Sequence, residues 1–573
     1  MEERRLLIAV ALSLLVLTAY QFLFPTPPPV RRPAATANTT PGTPTASDRA
    51  PQPGRASPGR TASAGPTPGA RAAVAPTPAP PAVQIADERE RRVEVQGDEV
   101  AVAFSNRGGR LVSWQLKRYR DAKGRPEEMV QTVPGGPRAL DLETGDPDVD
   151  AQLKDALFLP SAEVVTLGAT GEAELAFRWA QGDVEAEKTL RFHAPGYLVD
   201  VRASVKRSGR ELPKKVLWGP GLGNPTAAEK DVQGYHEPQG VFLGPRGVER
   251  VVPEKIGAAR TVADARWGGV ESTHFAALWI PPVLPGTVEL RALELPGEEG
   301  RKRLGAGAAV SLVTAAEAAV LFVGPKDHSL LARLDHDLAA VVPVGEWIGP
   351  IVVPLMALLR WVHGGVGNYG WSIVVLTVLI NLLMAPLRHY SIANGIKMAK
   401  LSPEMRAIQE RYRKVPALDP KRQEMQKEIA ALYERHGMSM STQMLVGCLP
   451  LLLTMPFLIA FYRVLQVAIE LRGASFLWIP DLSQRDPLFI TPVLMGLSMF
   501  IMQRMTPTAM EPAQQRIMMI MPVVLVVMFH AAPAGLNLYW LSSNLCSIVQ
   551  QGVTLRILAS HDERARNKER RRA

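Results

Sequence analysis

The chain has 573 residues, 47% of them hydrophobic and 21% charged, with a formal net charge of +10. That length exceeds a single domain, and its only two cysteines, Cys448 and Cys546, lie inside apolar runs, which excludes a disulfide framework. The positive charge excludes little until its placement is known, because nucleic acid, anionic lipid and plain solubility all call for it.

Residues 6–24 form an uncharged apolar run preceded by Arg4 and Arg5. A cleaved leader has a shorter apolar stretch and a small-residue cleavage site, whereas this run ends in Tyr20, Phe22, Leu23 and Phe24. Residues 1–24 are therefore predicted to be a retained transmembrane anchor with its N-terminus in the cytoplasm. Sixteen of the 49 prolines fall in residues 25–82. Such a segment buries too little apolar surface to order itself and reads as a linker.

From residue 83 short alternating runs appear, such as Val93-Glu94-Val95 and Val100-Ala101-Val102-Ala103-Phe104, separated by turn signals such as Arg107-Gly108-Gly109. Period-two alternation with frequent turns predicts an all-β sandwich over residues 83–343, closed by a helical stretch at 327–342. The anchor would deliver this domain outside the cytoplasm. In residues 344–363, Ile348, Ile351, Val352, Leu355, Leu358, Leu359 and Val362 follow helical spacing between Trp347 and His363. That pattern predicts an amphipathic helix lying along the outer membrane surface.

Five apolar segments follow, at residues 364–387, 437–462, 487–503, 517–529 and 536–555. Most are close to the roughly 20 residues that cross a bilayer. With the anchor, the fold class is a polytopic α-helical membrane protein of six spans with a large extracytoplasmic all-β sandwich domain. Charge placement agrees with that topology: the loop 388–443 holds 11 Lys and Arg, the tail 556–573 holds seven, and the outer loop 467–486 holds two. Within the first of these, Ser402-Pro403-Glu404 is predicted to start one helix and Asp419-Pro420 a second, forming a cytoplasmic helical hairpin.

The sequence contains no nucleophile elbow, metal-ligand cluster, phosphate loop or dinucleotide fingerprint. It therefore reads as a non-enzyme with no cofactor, no metal and no small-molecule substrate. The segments also lack the buried acids and bases of an ion-coupled pump. They do carry uncharged polarity: Thr377 and Asn381 four residues apart, Thr454 in mid-span, and Asn537, Trp540, Asn544, Ser547 and Gln551 along one side of the last helix. Two readings stand for this stripe. One is hydrogen bonding between helices. The other is a polar space inside the membrane, which lowers a cost of roughly 2.5–3.5 kcal/mol per inserted charge. Eighteen of the 20 methionines lie from Met356 onward, either as lipid-facing filler or as adaptable apolar contacts. A channel, which needs a continuous water path, and an assembly scaffold, in which the outer domain is the working part, are the competing function classes.

The stretches GNYGWSIVVLTVL, PLLLTMPFLIAFYRVL, LWIPDLSQRDPLFITPVLMGLSMFIMQRMTPT, QQRIMMIMPVV and PAGLNLYWLSSNLCSIVQQ, with FSNRGGRLVSWQL and VGPK in the outer region, resemble the YidC-type bacterial inner-membrane protein insertases. The similarity runs over nearly the whole chain. It implies an insertase and chaperone, in the bacterial inner membrane, whose partners are nascent membrane proteins, membrane lipids, the Sec translocon and the ribosome. Hydrophobic segments would pass through a hydrophilic groove open to cytoplasm and lipid, without ATP. Both termini would be cytoplasmic and residues 25–343 periplasmic. The outer domain is implied to be a β-supersandwich related to sugar-processing folds, from which no sugar activity follows.

The resemblance places the groove on Thr377, Asn381, Thr454, Tyr539 and Trp540, and the polar stripe adds Asn544. The family keeps a positive residue, usually arginine, four positions after the groove threonine, and here that position is Asn381. Arg388 lies on roughly the same face, but at the cytoplasmic end and beyond Pro386, and is not expected to substitute. The tail residues Arg564, Arg566, Lys568, Arg570, Arg571 and Arg572 fit ribosomal RNA phosphates or anionic lipid headgroups. The resemblance favours the ribosome.

Overall fold

The structure is a computed structural model that describes residues 84–571 apart from 122, 132, 134–135, 224–229, 233–234, 297–301, 413–414, 417–418, 437–454 and 507–511. The expected anchor, the linker, much of the expected span at 437–462 and Thr454 lie outside the described residues.

The alternating runs form strands. Val93 and Val95 in Arg92–Gln96, and Val100, Val102 and Phe104 in Val100–Ser105, are all at most 1% exposed. A fully buried side chain of this size contributes about 1.5–3 kcal/mol. These two strands belong to a five-stranded sheet, beside a ten-stranded sheet and a second five-stranded one. In the ten-stranded sheet, Gly268 lies opposite Trp279, Trp279 opposite Leu321, Leu321 opposite Val199 and Val199 opposite Phe192. Directly opposed residues share a face, so these five look the same way. Phe192 on that face meets Trp114 and Phe104 of the first small sheet, with ring centroids 6.1 and 6.4 Å apart. Gly268 on the same face packs against Val288 of the second. Two small sheets therefore cover one face of the large sheet.

The opposite face is covered in part by the segment that leaves the domain. The Trp267 indole, one residue out of phase with Gly268, donates to Asp337 O at 3.3 Å. This segment was expected to be one helical stretch over 327–342. It is instead two short turns, His328–Leu331 and Leu338–Val341, because His336 and Asp337 between them take φ of 76° and 56°, which a right-handed helix cannot contain.

Seven α-helices follow among the described residues: α1 (Gly349–Val366), α2 (Tyr369–Arg411), α3 (Lys421–Arg435), α4 (Met455–Val467), α5 (Ile490–Met505), α6 (Pro512–Phe529) and α7 (Ala534–Arg570). In α1 the buried residues Val352, Leu355, Met356, Leu359 and Val362 form one stripe, and Trp361 on the other side is 72% exposed. Among the described residues α1 and α2 are long and apolar enough to cross a membrane, and α4, α5 and residues Met518–Phe529 of α6 are shorter apolar helices.

The expected helix start at Ser402 is not there. Ser402 sits inside α2, which runs 43 residues through both Pro386 and Pro403. Each proline removes one hydrogen bond from the ladder, yet helix formers such as Ala399, Lys400, Leu401, Glu404 and Met405 flank Pro403 and carry the helix past it. The second start holds: Lys421 N donates to Asp419 Oδ1 at 2.9 Å ahead of α3. Within residues 408–429, Glu428 accepts from Arg411 at 2.8 Å and from Tyr412 at 2.9 Å.

The bundle helices are set by local chemistry. The fully buried Asp486 accepts from Thr491 N at 2.7 Å and Leu488 N at 3.0 Å, which places negative charge at the start of α5, where it is favoured. Gly496 lets α6 approach closely, since a Cβ there would stand 2.3 Å from Val526. After α6 the chain turns, and Ala534 N and Gly535 N at the head of α7 donate to Gln484 O and Leu482 O at 2.7 and 2.9 Å.

Candidate functional site

Four helices enclose a cavity of about 230 Å³. α2 supplies Asn381, Met384 and Arg388, α4 supplies Met455 and Phe457, α5 supplies Met499, and α7 supplies Tyr539, Trp540, Ser543 and Asn544. A second cavity of about 280 Å³ shares Arg388, Ser543 and Asn544 and extends to Ser391, Ser547, Gln550 and Gln551. Among the described residues no carboxylate lines either one.

The polar groups around this space are only partly used. Thr377 Oγ1 is buried and donates to Ile373 O of its own helix at 2.6 Å. Asn381 Nδ2 likewise donates to Thr377 O at 2.8 Å, but its buried Oδ1 finds no donor among the described residues. An unsatisfied buried acceptor is rare and calls for a functional or solvent partner. Asn544 Nδ2 reaches Ser498 Oγ on α5 at 3.0 Å, Gln551 Nε2 reaches Thr506 Oγ1 at 3.1 Å, and Gln550 Nε2 reaches Ala385 O on α2 at 2.7 Å. Part of the polar stripe thus ties helices together, while Asn381, Trp540 and Asn544 face the cavity. Two aromatic contacts hold the α7 wall: Tyr539 stacks on Phe461 of α4, with centroids 4.1 Å apart, and Trp540 lies tilted against Phe529 of α6, at 4.8 Å.

Of the residues singled out in the sequence, Asn381, Tyr539, Trp540 and Asn544 come together on one cavity. Thr377 lies one turn away on α2 and is not part of the lining. Thr454 lies outside the described residues, although Met455 beside it lines the cavity. Sequence reasoning missed three kinds of lining residue. Arg388 was set aside as lying beyond a proline, but α2 does not end there, and seven residues carry the chain about 10 Å along the same face. Its guanidinium donates to Ser547 Oγ, and it lines both cavities. Ser543 and Gln550 flank the α7 stripe rather than lie on it. Met384, Met455, Met499 and Met502 are part of the methionine excess, which gave composition but no position.

The β domain holds buried charge as well. Lys188 is fully buried and its ammonium donates to Gly109 O at 2.8 Å, Gly108 O at 3.3 Å and Leu140 O at 2.5 Å. Burial pushes it down to about 7. Glu271 accepts from Arg250 at 2.6 Å, Lys326 at 2.9 Å and Gln239 at 3.1 Å. Burial works against its carboxylate, but Lys326 and Arg250 outweigh this and hold it at about 2. Among the described residues no group of three His, Cys, Asp or Glu side chains could hold a metal ion. On the basic tail, Arg564 and Arg570 are exposed on α7, Arg571 is exposed just past its end, Arg566 and Lys568 lie on the same helix, and Arg572 is outside the described residues.

Two family models match the chain, the 60Kd inner membrane protein over residues 361–561 and the YidC periplasmic domain over residues 92–358. A membrane protein insertase YidC of Geobacter sulfurreducens is 32% identical, covering 79% of this chain and 83% of the relative. The protein of the same name from Geobacter metallireducens is 30% identical over 97% of this chain and 99% of its own length. Among solved structures, an active YidC insertase with its first transmembrane domain resolved matches at a TM-score of 0.34 and 18% identity, covering 82% of this chain and 94% of that one.

Proposed function

This chain belongs to the YidC family of membrane protein insertases, and we propose that it passes hydrophobic segments of nascent membrane proteins into the bilayer through the polar cavity between α2, α4, α5 and α7. It is an inner-membrane insertase with a large periplasmic domain built of β-sheets. The observation that carries the groove is the lining itself: unused hydrogen-bonding capacity at Asn381, the Arg388 cation with no carboxylate beside it, and methionines on three of the four walls. A polar segment placed there meets partners that lipid cannot offer, and a hydrophobic one meets side chains that adapt to many shapes.

The proposed topology has six spans, both termini in the cytoplasm and residues 25–343 in the periplasm. The 11 Lys and Arg of residues 388–443 and the seven of residues 556–573 support it. α1 would lie along the outer surface, an orientation supported by its exposed Trp361 and the preceding Trp347. In this reading Thr454 completes the lining that Asn544 already shares, and Thr377 supports it from one turn away on α2. The tail from Arg564 to Arg572 contacts the ribosome, and the Sec translocon works beside the bundle for larger substrates.

Site-specific crosslinking tests the groove. A photoreactive residue at Asn381 or Trp540 should capture a ribosome-bound nascent chain, while one at Leu383, 67% exposed on the outside of α2, should capture mainly lipid. Capture from Leu383 but not from Asn381 overturns the groove. For the tail, removing residues 564–572 should abolish the salt-sensitive part of ribosome pelleting, and unchanged pelleting assigns the tail to lipid headgroups instead.

A further inference from the structure

The loop between α4 and α5, residues 468–489, touches the outer ends of three helices. Asn368, just ahead of α2, donates to Ser475 O at 2.9 Å. The Phe476 ring packs so closely on Gly370 that a Cβ there would stand 2.2 Å from it. Leu482 O and Gln484 O accept from the first amides of α7. Glu470 accepts from Arg360 of α1 at 3.1 Å.

A further contact leaves the bundle altogether. Arg472 reaches into the β domain, donating to Arg120 O at 3.0 Å and to Glu127 Oε2 at 2.9 Å. Its guanidinium stands 5.1 Å from the centre of the Phe275 ring, and Tyr119 meets that ring edge-on at 5.8 Å. The two charged side chains are 8% and 10% exposed. A pair this dry is far from the weak, screened ion pairs of a surface. Removing one partner takes from the other a buried counter-charge, and the planar fork and the ring contact are specific to arginine.

We propose that Arg472 is a positioning residue that locks the β domain onto the helical bundle, with the α4–α5 loop as the keystone joining it to the outer ends of α2 and α7. The β domain is then held in one orientation rather than swinging on the connection at 327–345. The lock rests on contacts outside the cavity and is independent of the groove.

Distance measurement between two spin labels tests it in the full chain, in lipid nanodiscs, with Cys448→Ser and Cys546→Ser. One label replaces Glu185, exposed in the β domain, and the other Leu488, 60% exposed ahead of α5. The expected result is a single narrow distance, lost in Arg472→Met and partly kept in Arg472→Lys, with the β-sheet melting transition unchanged. A broad distribution in the unaltered chain, or a narrow one in Arg472→Met, overturns the lock. Should Arg472→Met fail to fold, Glu127→Gln removes the charge and keeps the shape. It is expected to broaden the distance too, and an unchanged narrow peak there overturns the proposal equally.

Discussion

In the β domain the Lys188 ammonium has three carbonyl acceptors, and Glu271 sits between Lys326 and Arg250. In the helical bundle, Asn381 and Asn537 each keep a buried amide oxygen with no donor. The first region pairs these charges within itself, although it too keeps buried groups such as Trp114 Nε1 and Trp279 Nε1 without a partner among the described residues. What sets the second apart is place: its open acceptor at Asn381 belongs to a residue that lines a cavity. A saturated network rigidifies and specifies a packing, whereas an open acceptor costs stability unless something arrives to use it. The comparison separates buried polar groups locked in packing from one that belongs to a residue lining a cavity.

The largest effect that would break this contrast lies in the β domain. Glu271 titrates near 2 in the folded chain against an ordinary 4.5. Its folded value is depressed, so as pH falls the unfolded chain takes up the proton first. Stability present above about pH 4.5 is therefore lost on the way down to about 2, by roughly 3 kcal/mol. Melting of the full chain as a function of pH should show this loss, and Glu271→Gln should remove it while lowering stability at neutral pH. An identical acid slope in the variant would mean that the network is not what sets it.

A smaller effect sharpens the bundle side. Arg388→Met should lower insertion of substrates with acidic translocated segments by about tenfold, equivalent to roughly 1.4 kcal/mol, and should affect neutral ones less. Adding Asn381→Arg should restore part of the loss, because it returns a cation to the same wall two turns away. Equal loss for both substrate kinds would show that Arg388 acts through helix packing alone. The smallest effect concerns Arg411 and Glu428, whose side chains are 62% and 38% exposed. Arg411→Ala should change stability by less than about 1 kcal/mol, and a larger change in denaturant unfolding would mean that this pair is not simply solvated.

Legibility in the sequence followed the range of the interactions. Alternation over a few residues was enough to find strands such as Val100–Ser105, and helical spacing was enough for the buried stripe of α1. Punctuation was less trustworthy. Ser402-Pro403 has the chemistry of a helix start, yet it lies within α2 because the flanking residues favour helix strongly enough to pass it. The same weight given to Pro386 hid Arg388. Residues on one helix face, such as Asn381, Trp540 and Asn544, could be found by counting threes and fours. Their partners could not, since Ser498 and Phe461 come from distant parts of the chain. The junction through Arg472 was least visible: Arg472 and Glu127 are 345 residues apart, and nothing local to either marks the pairing.

The paired ring contacts on α7 carry one more consequence. Tyr539 and Trp540 are neighbours in sequence, so their side chains leave the helix about 100° apart, and each is clasped by a ring from a different helix. Rolling α7 about its axis would undo both ring contacts at once. The opposite wall is built differently, because Pro386 leaves the α2 ladder short of a bond between Asn381 and Arg388. The cavity then resembles a vice with one fixed jaw and one sprung jaw: widening it for a bulky passenger falls to α2, pivoting near Pro386. Distances measured across the cavity during loading should show α2 shifting against a stationary α7.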